Sequence, residues 1–372
     1  MTDSQWDYQS LFRNGIRATR PYSPGKPIDE VKRELGMSQV IKLASNENPE
    51  GPLPEVLEAI NVAALGLNRY PDASSYDLTR KLADQLDVSN EEIFLGNGSN
   101  EIVNMLIRSL ISPGENVVFS DHSFIAYALI CQVHFECGRV VPLTKDYRHD
   151  LTAMAATVDK QTKLAIVCNP NNPTGTYNTI EELEAFLAAV PSSVVVAIDE
   201  AYYEYVTASD YPQTLQLREK HPNLVILRTF SKIHSLAGLR IGYAIGHPGF
   251  IGELHKTREP FNVNMIAQAA ACACLDNWHE VAGRAQRNTD QKEWLVKKLE
   301  EMGLATVPSQ TNFVFLNVPV AAGEVANKLL KKGVIVRPMA AFGLGDGAMR
   351  ISVGLPKENQ LCLEALKEIL NP

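Results

Sequence analysis

The 372-residue sequence lacks the features of a secreted or membrane protein. Residues 1–8 are polar and acidic, with no basic segment followed by an apolar one, so we expect no signal peptide. Apolar runs such as residues 194–198 have the length of a strand and are far too short to span a membrane. We therefore expect a cytoplasmic protein that does not contact a membrane.

Cysteine motifs and positive charge are also missing. The 6 cysteines include no C-x-x-C pair, which favours buried reduced thiols and argues against a metal site. The net charge of −8 provides no basic surface for nucleic acid. The stretch VVVAIDE (194–200) superficially resembles the acidic strand of a nucleotide triphosphatase, but no G-x-x-x-x-G-K-[ST] motif accompanies it. The sequence contains neither internal repeats nor low-complexity tracts.

What the sequence does contain is an alternation of short apolar strands with helices. Apolar strands separated by helices predict a parallel or mixed sheet that is covered on both faces. The strands are predicted at 93–95, 116–120, 164–168, 194–198, 224–228 and 240–245, and the helices at 101–110, 124–133 and 180–189.

The pattern changes after about residue 262, which predicts a second, smaller α+β domain over 263–372. A large domain over 46–262 precedes it, and 1–45 form an N-terminal arm and part of the small domain. A chain of this length is too long for one small core. In the small domain we expect a long helical region over 264–301, strands at 313–317, 334–338 and 349–353, and helices over 322–331 and from 357.

Lys232 directly follows a predicted strand, in a turn rich in threonine and serine. Desolvation or nearby positive charge lowers the pKa of a lysine and makes its amine a nucleophile. The hydroxyls of Thr229 and Ser231 and the cation of Arg240 could bind one phosphate. Taken alone, however, Lys232 is better interpreted as a lysine in a surface loop.

Further polar clusters follow other predicted strands. The glycine-rich stretch 96–101 precedes a helix, whose N-terminus attracts an anion, and Asp199 ends a strand where ligands bind in α/β sheets. Asp199 could pair with a protonated pyridine nitrogen. A turn at 172–175 and a ring at Phe124, which could stack on a cofactor, complete the set. Each feature could instead be a plain turn, helix cap or core ring, but together they indicate one cofactor site at one sheet edge.

Several stretches of this sequence resemble the fold-type I aminotransferases, and the resemblance covers essentially the whole chain. Within that family the chain is most similar to the histidinol-phosphate aminotransferases. The resemblance implies an α/β fold with a mostly parallel seven-stranded sheet in the large domain, and pyridoxal 5′-phosphate (PLP) as the cofactor. The shared stretches are PYSPGKP (21–27), KLASNENPEGP (42–52), NRYPD (68–72), LGNGSNE (95–101), NPNNPTG (169–175), DEAY (199–202), RTFSKIHSLAGLRIG (228–242), TNF (311–313) and RISVG (350–354).

The resemblance also implies the roles of individual residues. Lys232 carries the cofactor as a Schiff base and then moves a proton between Cα of the substrate and C4′ of the cofactor. Asp199 pairs with the pyridine nitrogen, and Phe124 stacks on the ring, although many relatives have tyrosine there. The other cofactor contacts are made to the 3′ oxygen by Asn172 and Tyr202, and to the phosphate by Ser99, Asn100, Thr229, Ser231 and Arg240.

The resemblance also implies a contact with a second subunit and a set of substrate-binding residues. Tyr70 is expected to reach the phosphate of the neighbouring subunit, which implies a homodimer. Glu50 stands where relatives often carry an aromatic or aliphatic residue, so the details of the substrate mouth stay open. The anionic groups of the substrates are assigned to Arg337 and Arg350, and the mouth of the site to Tyr22 and Asn46.

The implied reaction transfers the amino group of histidinol phosphate to 2-oxoglutarate, giving imidazole-acetol phosphate and glutamate, in histidine biosynthesis. An aromatic-amino-acid aminotransferase is the alternative, and a lyase similar to threonine-phosphate decarboxylase is less favoured. A transcription regulator with this fold requires a preceding basic helix-turn-helix domain, and residues 1–45 show no such pattern.

Overall fold

The computed structural model describes residues 7–21 and 25–370. Within these ranges the strands form a seven-stranded, a four-stranded and a two-stranded sheet. The strands are β1 Ile41–Lys42, β2 Ile93–Gly96, β3 Asn116–Ser120, β4 Gly138–Val141, β5 Thr162–Cys168, β6 Val195–Asp199, β7 Leu224–Thr229, β8 Gly242–Gly246, β9 Thr306–Val307, β10 Phe313–Asn317, β11 Val334–Ile335, β12 Arg337–Pro338 and β13 Ala348–Ser352.

The helices cover the faces of these sheets. In the described ranges none is long and apolar enough to cross a membrane. They are α1 Asn14–Ala18, α2 Ile28–Leu35, α3 Pro54–Ala64, α4 Tyr76–Leu86, α5 Ser99–Leu110, α6 Ile125–Val133, α7 Leu151–Thr157, α8 Ile180–Ala189, α9 Thr214–Leu217, α10 Pro248–His255, α11 Met265–Asp276, α12 Trp278–Glu301, α13 Ala322–Lys331 and α14 Pro356–Leu370.

The seven-stranded sheet has the order β2-β8-β7-β6-β5-β3-β4. Strand β8 is antiparallel to both neighbours, and the remaining pairs are parallel. The central strands are buried on both faces, which explains their near-continuous apolar sequences. Leu183 and Phe186 of α8 pack in the core on one face, and Ile102 and Leu106 of α5 pack in the core on the other. The prediction of an α/β fold with a mostly parallel seven-stranded sheet is confirmed.

This topology brings several chain segments to one sheet edge. The parallel strands β5, β6 and β7 all end there, and β6 and β7 end at Asp199 and Thr229. Because β8 runs the opposite way, it begins at the same edge, where Gly242 pairs with both Gly96 and Thr229. The polar residues that follow the strands are therefore neighbours in space, as ligand-binding residues are in open α/β sheets.

The helix α12 connects this sheet to the four-stranded one. Its Val281 is buried in the core beside the large sheet, whereas Leu295 and Leu299 are buried in the core around β10 and β13. One rigid helix therefore packs into both cores. The domain boundaries at 46 and 262 stay a prediction.

Two predicted elements of the second half were wrong in detail. The helical region over 264–301 is interrupted at Asn277, whose side chain donates to the carbonyl of Ala273 at 2.9 Å and so competes with continuation of the helix. The predicted strand 334–338 is two strands in different sheets: β11 pairs with β1, and β12 pairs with β13. The chain crosses between sheets at Val336 because β1, which was not predicted, offers a partner.

In the first half the differences lie at the ends of the large sheet. The edge strand β4 was not predicted because Arg139 and Val140 are exposed, so its sequence is not a continuous apolar run. The strand predicted from 240 begins at Gly242, since Arg240 has a φ of 55° that is incompatible with a strand. The predicted arm contains α2, whose Val31 is buried against Val40.

Candidate active site

Lys232 lies just beyond β7 with its amine directed at the segment that contains Asn46. Its Nζ donates to the carbonyl oxygen of Asn46 at 3.2 Å and lies 5.4 Å from the ring centre of Tyr202. Burial lowers the pKa of Lys232 to about 8, and the nearby charge of Arg350 acts in the same direction. A neutral amine is therefore accessible near physiological pH, as a lysine nucleophile requires.

Asp199 is a buried carboxylate at the end of β6. It accepts hydrogen bonds from the hydroxyl of Tyr127 at 2.6 Å and from the backbone N–H of Ala201 at 3.2 Å. Burial raises the pKa of Asp199 above its usual range, whereas these two hydrogen bonds and the charge of Lys232 lower it. A carboxylate in this environment is stabilised by a cationic partner, and a protonated pyridine nitrogen is such a partner.

Tyr127 is a site residue that sequence reasoning missed. It lies one turn beyond Phe124, is fully buried, and stands edge-on to the Phe124 ring at 5.6 Å between ring centres. Its sequence signal was weak, because a tyrosine inside an apolar helix is usually a core residue. The hydrogen bond to Asp199 forms only when α6 packs against β6.

Replacing Tyr127 with phenylalanine is expected to lower the free energy of unfolding by about 1–3 kcal/mol at pH 7, because the buried carboxylate of Asp199 loses its shortest hydrogen bond. Because burial raises the pKa of Asp199, this difference should shrink as the pH falls and the carboxylate is protonated in both proteins. Urea unfolding of parent and variant across the acidic range measures it. Equal stability at pH 7, or a difference independent of pH, would contradict this account.

Tyr202 and Asn172 lie beside these two groups. The Tyr202 hydroxyl accepts a hydrogen bond from Nδ2 of Asn46 at 2.9 Å. Oδ1 of Asn172 accepts from Nη1 of Arg350 at 2.5 Å. With this oxygen occupied by the guanidinium, Nδ2 is the group of Asn172 that can donate to a ligand oxygen.

The residues assigned to a phosphate form a cradle beside β7 and β8. Thr229 Oγ1 donates to Ser231 Oγ at 3.0 Å, and Nη1 of Arg240 donates to the same Oγ at 3.3 Å. Nη2 of Arg240 lies so near Gly98 that a Cβ at that glycine would be only 2.5 Å from it. A glycine is favoured here by its φ of 83°, and a side chain at this position would also displace the Arg240 guanidinium.

The N-terminal turn of α5 closes the cradle. Ser99 and Asn100 are its first two residues, and Gly98 precedes them as the N-cap. The backbone nitrogen of Ser99 is so close to Gly242 that a Cβ there would lie 2.5 Å away. Free N–H groups at a helix N-terminus favour an anion. The hydroxyls, the guanidinium and the helix end thus lie close together, and this set of donors favours an anion.

The predicted substrate arginines face each other across β12 and β13, where Arg337 and Arg350 are directly paired. Both line a cavity of about 140 Å³ together with Phe124, Asn172 and Lys232. Arg350 also donates to the carbonyl of Ala44 at 2.7 Å, and its side chain is mostly buried. The two cations therefore lie on the wall of the cavity that contains the Lys232 amine.

The structure does not bring every predicted residue to this cavity. Tyr22 lies outside the described residues. Tyr70 is 79% exposed and stacks on Phe261 with 4.6 Å between ring centres. Its predicted contact is with the site of a second subunit, which a single chain does not display. The exposed ring is free to make that contact.

Two residues behind Asn46 were also missed. Asn312 donates from Nδ2 to the carbonyl of Asn46 at 3.1 Å, and the Asn46 backbone N–H donates to Oγ of Ser352 at 2.9 Å. Asn46 has a φ of 55°, so these bonds hold it in a left-handed conformation. Both residues lie in stretches shared with the family, TNF (311–313) and RISVG (350–354), but within these stretches only Arg350 was assigned a role.

Comparison with known proteins identifies the family of this chain. The family model for aminotransferase class I and II matches residues 38–366. The chain belongs to this family. The histidinol-phosphate aminotransferase of Moorella thermoacetica is 46% identical over 96% of this chain and 92% of its own length. Histidinol-phosphate aminotransferase 2 of Pseudomonas aeruginosa is 44% identical over 98% of this chain and 99% of its own length.

Solved structures of this aminotransferase family are similar over the same extent. The histidinol-phosphate aminotransferase of Sinorhizobium meliloti, solved in complex with pyridoxal-5′-phosphate, superimposes with a TM-score of 0.87 at 30% identity. The match covers 97% of this chain and 98% of that chain. An L-threonine-O-3-phosphate decarboxylase from Porphyromonas gingivalis has a TM-score of 0.79 at 22% identity, a likeness that extends to the fold alone.

Proposed function

We propose that this protein is a PLP-dependent aminotransferase that transfers the amino group of histidinol phosphate to 2-oxoglutarate. The products are imidazole-acetol phosphate and glutamate. The observation that carries the proposal is the meeting of three groups at one sheet edge: the Lys232 amine, the buried Asp199 carboxylate and the cradle around Ser231. Relatives 42–46% identical over nearly the whole chain, which bear the name histidinol-phosphate aminotransferase, support the choice of substrate.

The residues present fit PLP, group by group. The cofactor's aromatic ring, when bound, supplies an electron sink for the charge that develops at the substrate carbon. Asp199 holds the proton on the ring nitrogen, because its buried carboxylate favours a cationic partner. Ser99, Thr229, Ser231 and Arg240 bind the phosphate, and Tyr202 and Asn172 donate to the ring hydroxyl oxygen.

Lys232 performs two tasks in this proposal. Its amine would hold the cofactor in the resting enzyme and would be released when the amino donor binds. The freed Nζ would then take up and return the proton of the substrate Cα. A pKa of about 8 suits Lys232 both for accepting and for returning a proton, because a general acid or base works best when its pKa lies near the working pH.

Arg350 and Arg337 bind the anionic groups of the substrates. The planar guanidinium can bind a carboxylate or phosphate through two parallel hydrogen bonds. The described bonds of Arg350 go to the carbonyl of Ala44 and to Oδ1 of Asn172, and both hold its guanidinium at the cavity wall. Both substrates are anions, so one pair of arginines can serve both halves of the reaction.

We also propose that the active form is a homodimer in the cytoplasm. Support for the dimer comes from the exposed apolar side chains around Tyr70 and α3, which a second subunit can cover. These side chains are Leu57, Val62, Leu65, Leu67, Tyr70, Tyr76 and Phe261. In the described chain all cysteines are free and all but Cys272 are buried, which suits a reducing compartment.

A panel of amino donors tests the substrate assignment. Histidinol phosphate, phenylalanine, tyrosine and threonine phosphate are each mixed with the PLP-loaded enzyme, and loss of the visible cofactor band is followed without an acceptor. We expect kcat/KM for histidinol phosphate to exceed that for phenylalanine and tyrosine by about 10²-fold or more, because these two donors lack the phosphate and leave its arginine partner unpaired. Faster reaction with phenylalanine or tyrosine would indicate the aromatic aminotransferase. Carbon dioxide release from threonine phosphate would indicate the lyase.

A further inference from the structure

The turn that carries Lys232 is fixed through its main chain. The backbone N–H of Ser235 donates to the carbonyl of Lys232 at 3.0 Å, which closes the turn. The carbonyl of Ile233 accepts two side-chain hydrogen bonds, from Nδ2 of Asn48 at 2.9 Å and from Nη1 of Arg284 at 3.0 Å. The residue that follows Lys232 is thus anchored to two distant parts of the sequence.

Arg284 makes the larger share of these contacts. It lies on α12 with only 3% of its surface exposed, and its Nη1 also donates to Oγ of Ser235 at 2.6 Å. Its Nη2 donates to the carbonyl of Gly51 at 2.7 Å. One guanidinium therefore binds both the Lys232 turn and the segment 46–51, whose Asn46 carbonyl accepts the Lys232 amine.

Glu50 and Arg287 close this arrangement from the solvent side. Arg287 donates to the two carboxylate oxygens of Glu50 at 2.8 and 2.7 Å, and Nε of Arg284 lies 3.7 Å from the same carboxylate. The carbonyl of Glu50 accepts from Oγ of Ser235 at 2.7 Å. Glu50, the charged residue that departs from the family pattern, is therefore bound to α12 and lines a different cavity from the one that contains Lys232.

The position of these arginines on α12 determines what they hold in place. The helix packs into the core beside the large sheet through Val281 and into the second core through Leu295. A turn bound to α12 is consequently fixed relative to both sheets, and so to Asp199 on one side and Arg350 on the other.

We propose that Arg284, supported by Glu50 and Arg287, is a positioning residue that clamps the Lys232 turn and segment 46–51 to α12 and so holds the Lys232 amine in its productive place. This inference rests on the proposed role of Lys232. Arg284 contacts main-chain and hydroxyl groups of the scaffold, and its effect on the reaction passes through Lys232. A displacement of about 1 Å at a reacting group can cost about 100-fold in rate.

The test compares Arg284→Met and Arg284→Lys with the parent enzyme, loaded with PLP. The first readout is the pH midpoint of the visible absorption change of the bound cofactor, and the second is kcat and KM for the amino donor. For Arg284→Met we expect the pH midpoint to rise by about 0.5 pH units or more. A loosened turn admits water, so burial no longer disfavours the protonated form of the Lys232 nitrogen that bonds the cofactor. We expect kcat to fall by about 10-fold or more with KM changed less than threefold.

Arg284→Lys keeps the charge but not the planar fork, so its midpoint and kcat should lie between those of the parent and Arg284→Met. Lys292→Met is the matched control, since Lys292 is a buried cation of the same helix that donates to the carbonyls of Ser309 and Thr311 instead. Its pH midpoint should equal that of the parent. A parent-like midpoint and kcat in Arg284→Met would overturn the proposal.

If Arg284→Met does not fold, Arg284→Lys becomes the deciding variant. A pH midpoint and a kcat equal to those of the parent would then overturn the proposal. An equal shift in Lys292→Met also overturns it, because the effect would then belong to any buried cation of α12. Failure of the underlying role of Lys232 is seen separately in the unaltered enzyme. In that case reduction with borohydride attaches the cofactor to a different residue, whatever the Arg284 variants do.

Discussion

Replacing Lys232 with alanine is expected to reduce kcat for transamination by about 10³-fold or more, since the variant loses both the covalent attachment of the cofactor and the group that moves the proton. The fold should persist, because the described Lys232 amine makes one hydrogen bond, to the Asn46 carbonyl. The measurements are steady-state kcat with histidinol phosphate and the thermal unfolding midpoint of the same preparation.

The direction of the stability change follows from the pKa of Lys232. Burial lowers this pKa to about 8 from the usual 10.5, so the unfolded chain binds the proton more tightly and the parent gains stability as the pH rises between these values. Lys232→Ala lacks this gain, and below pH 8 it should be at least as stable as the parent. Lys292→Ala is the matched control, because burial also lowers the pKa of Lys292 to about 8. Repeated turnover by Lys232→Ala, at a rate near that of Lys292→Ala, would contradict the assignment.

Replacing Arg350 with methionine is expected to lower kcat/KM by about 10²-fold for both histidinol phosphate and 2-oxoglutarate, the loss expected for a charge-assisted pair of hydrogen bonds. Arg350→Lys should restore little, because a lysine cannot form the two parallel bonds of a guanidinium. The charge of Arg350 also lowers the pKa of Lys232, so the pH optimum should move to higher pH in Arg350→Met and move less in Arg350→Lys, which keeps the positive charge. Separate measurement of the two half-reactions distinguishes the two substrates.

Arg218→Met is a suitable control for Arg350, because Arg218 is 13% exposed and pairs with Glu92 at 3.0 Å outside the candidate site. The kcat/KM of Arg218→Met should equal that of the parent in both half-reactions. An Arg350→Met enzyme with unchanged kcat/KM for both substrates would show that another residue binds the anionic groups. A loss confined to one substrate would assign Arg350 to that half-reaction alone.

The part of this site that lies at strand ends could be predicted from the sequence. Strands β6 and β7 are recognisable because burial on both faces demands continuous apolar residues. Once they are placed in a parallel sheet, Asp199 and Thr229 must emerge at the same edge. Arg240 lies within hydrogen-bond distance of Ser231 although its strand begins two residues later than predicted, since the prediction used only a position near the strand end.

The contacts that hold the site together could not be predicted from the sequence. Asn46 bonds Tyr202, which is 156 residues away, and Arg284 bonds Ile233, which is 51 residues away. Such bonds leave no local periodicity, because they arise only when α12 and segment 46–51 pack against the large sheet. Tyr127 was missed for the same reason. Short strands such as β1 and β11, with two residues each, are set by their pairing with each other and have no pattern of their own.

The measurement that tests the central claim most directly is reduction of the PLP-loaded protein with borohydride, followed by digestion and mass spectrometry of the peptides. If Lys232 carries the cofactor, the peptide that contains it gains the mass of the reduced pyridoxyl phosphate and the visible band disappears. Every other lysine peptide, including that of the buried Lys292, keeps its mass. Label on a different lysine, or a colourless protein whose peptides gain no mass, would contradict the account.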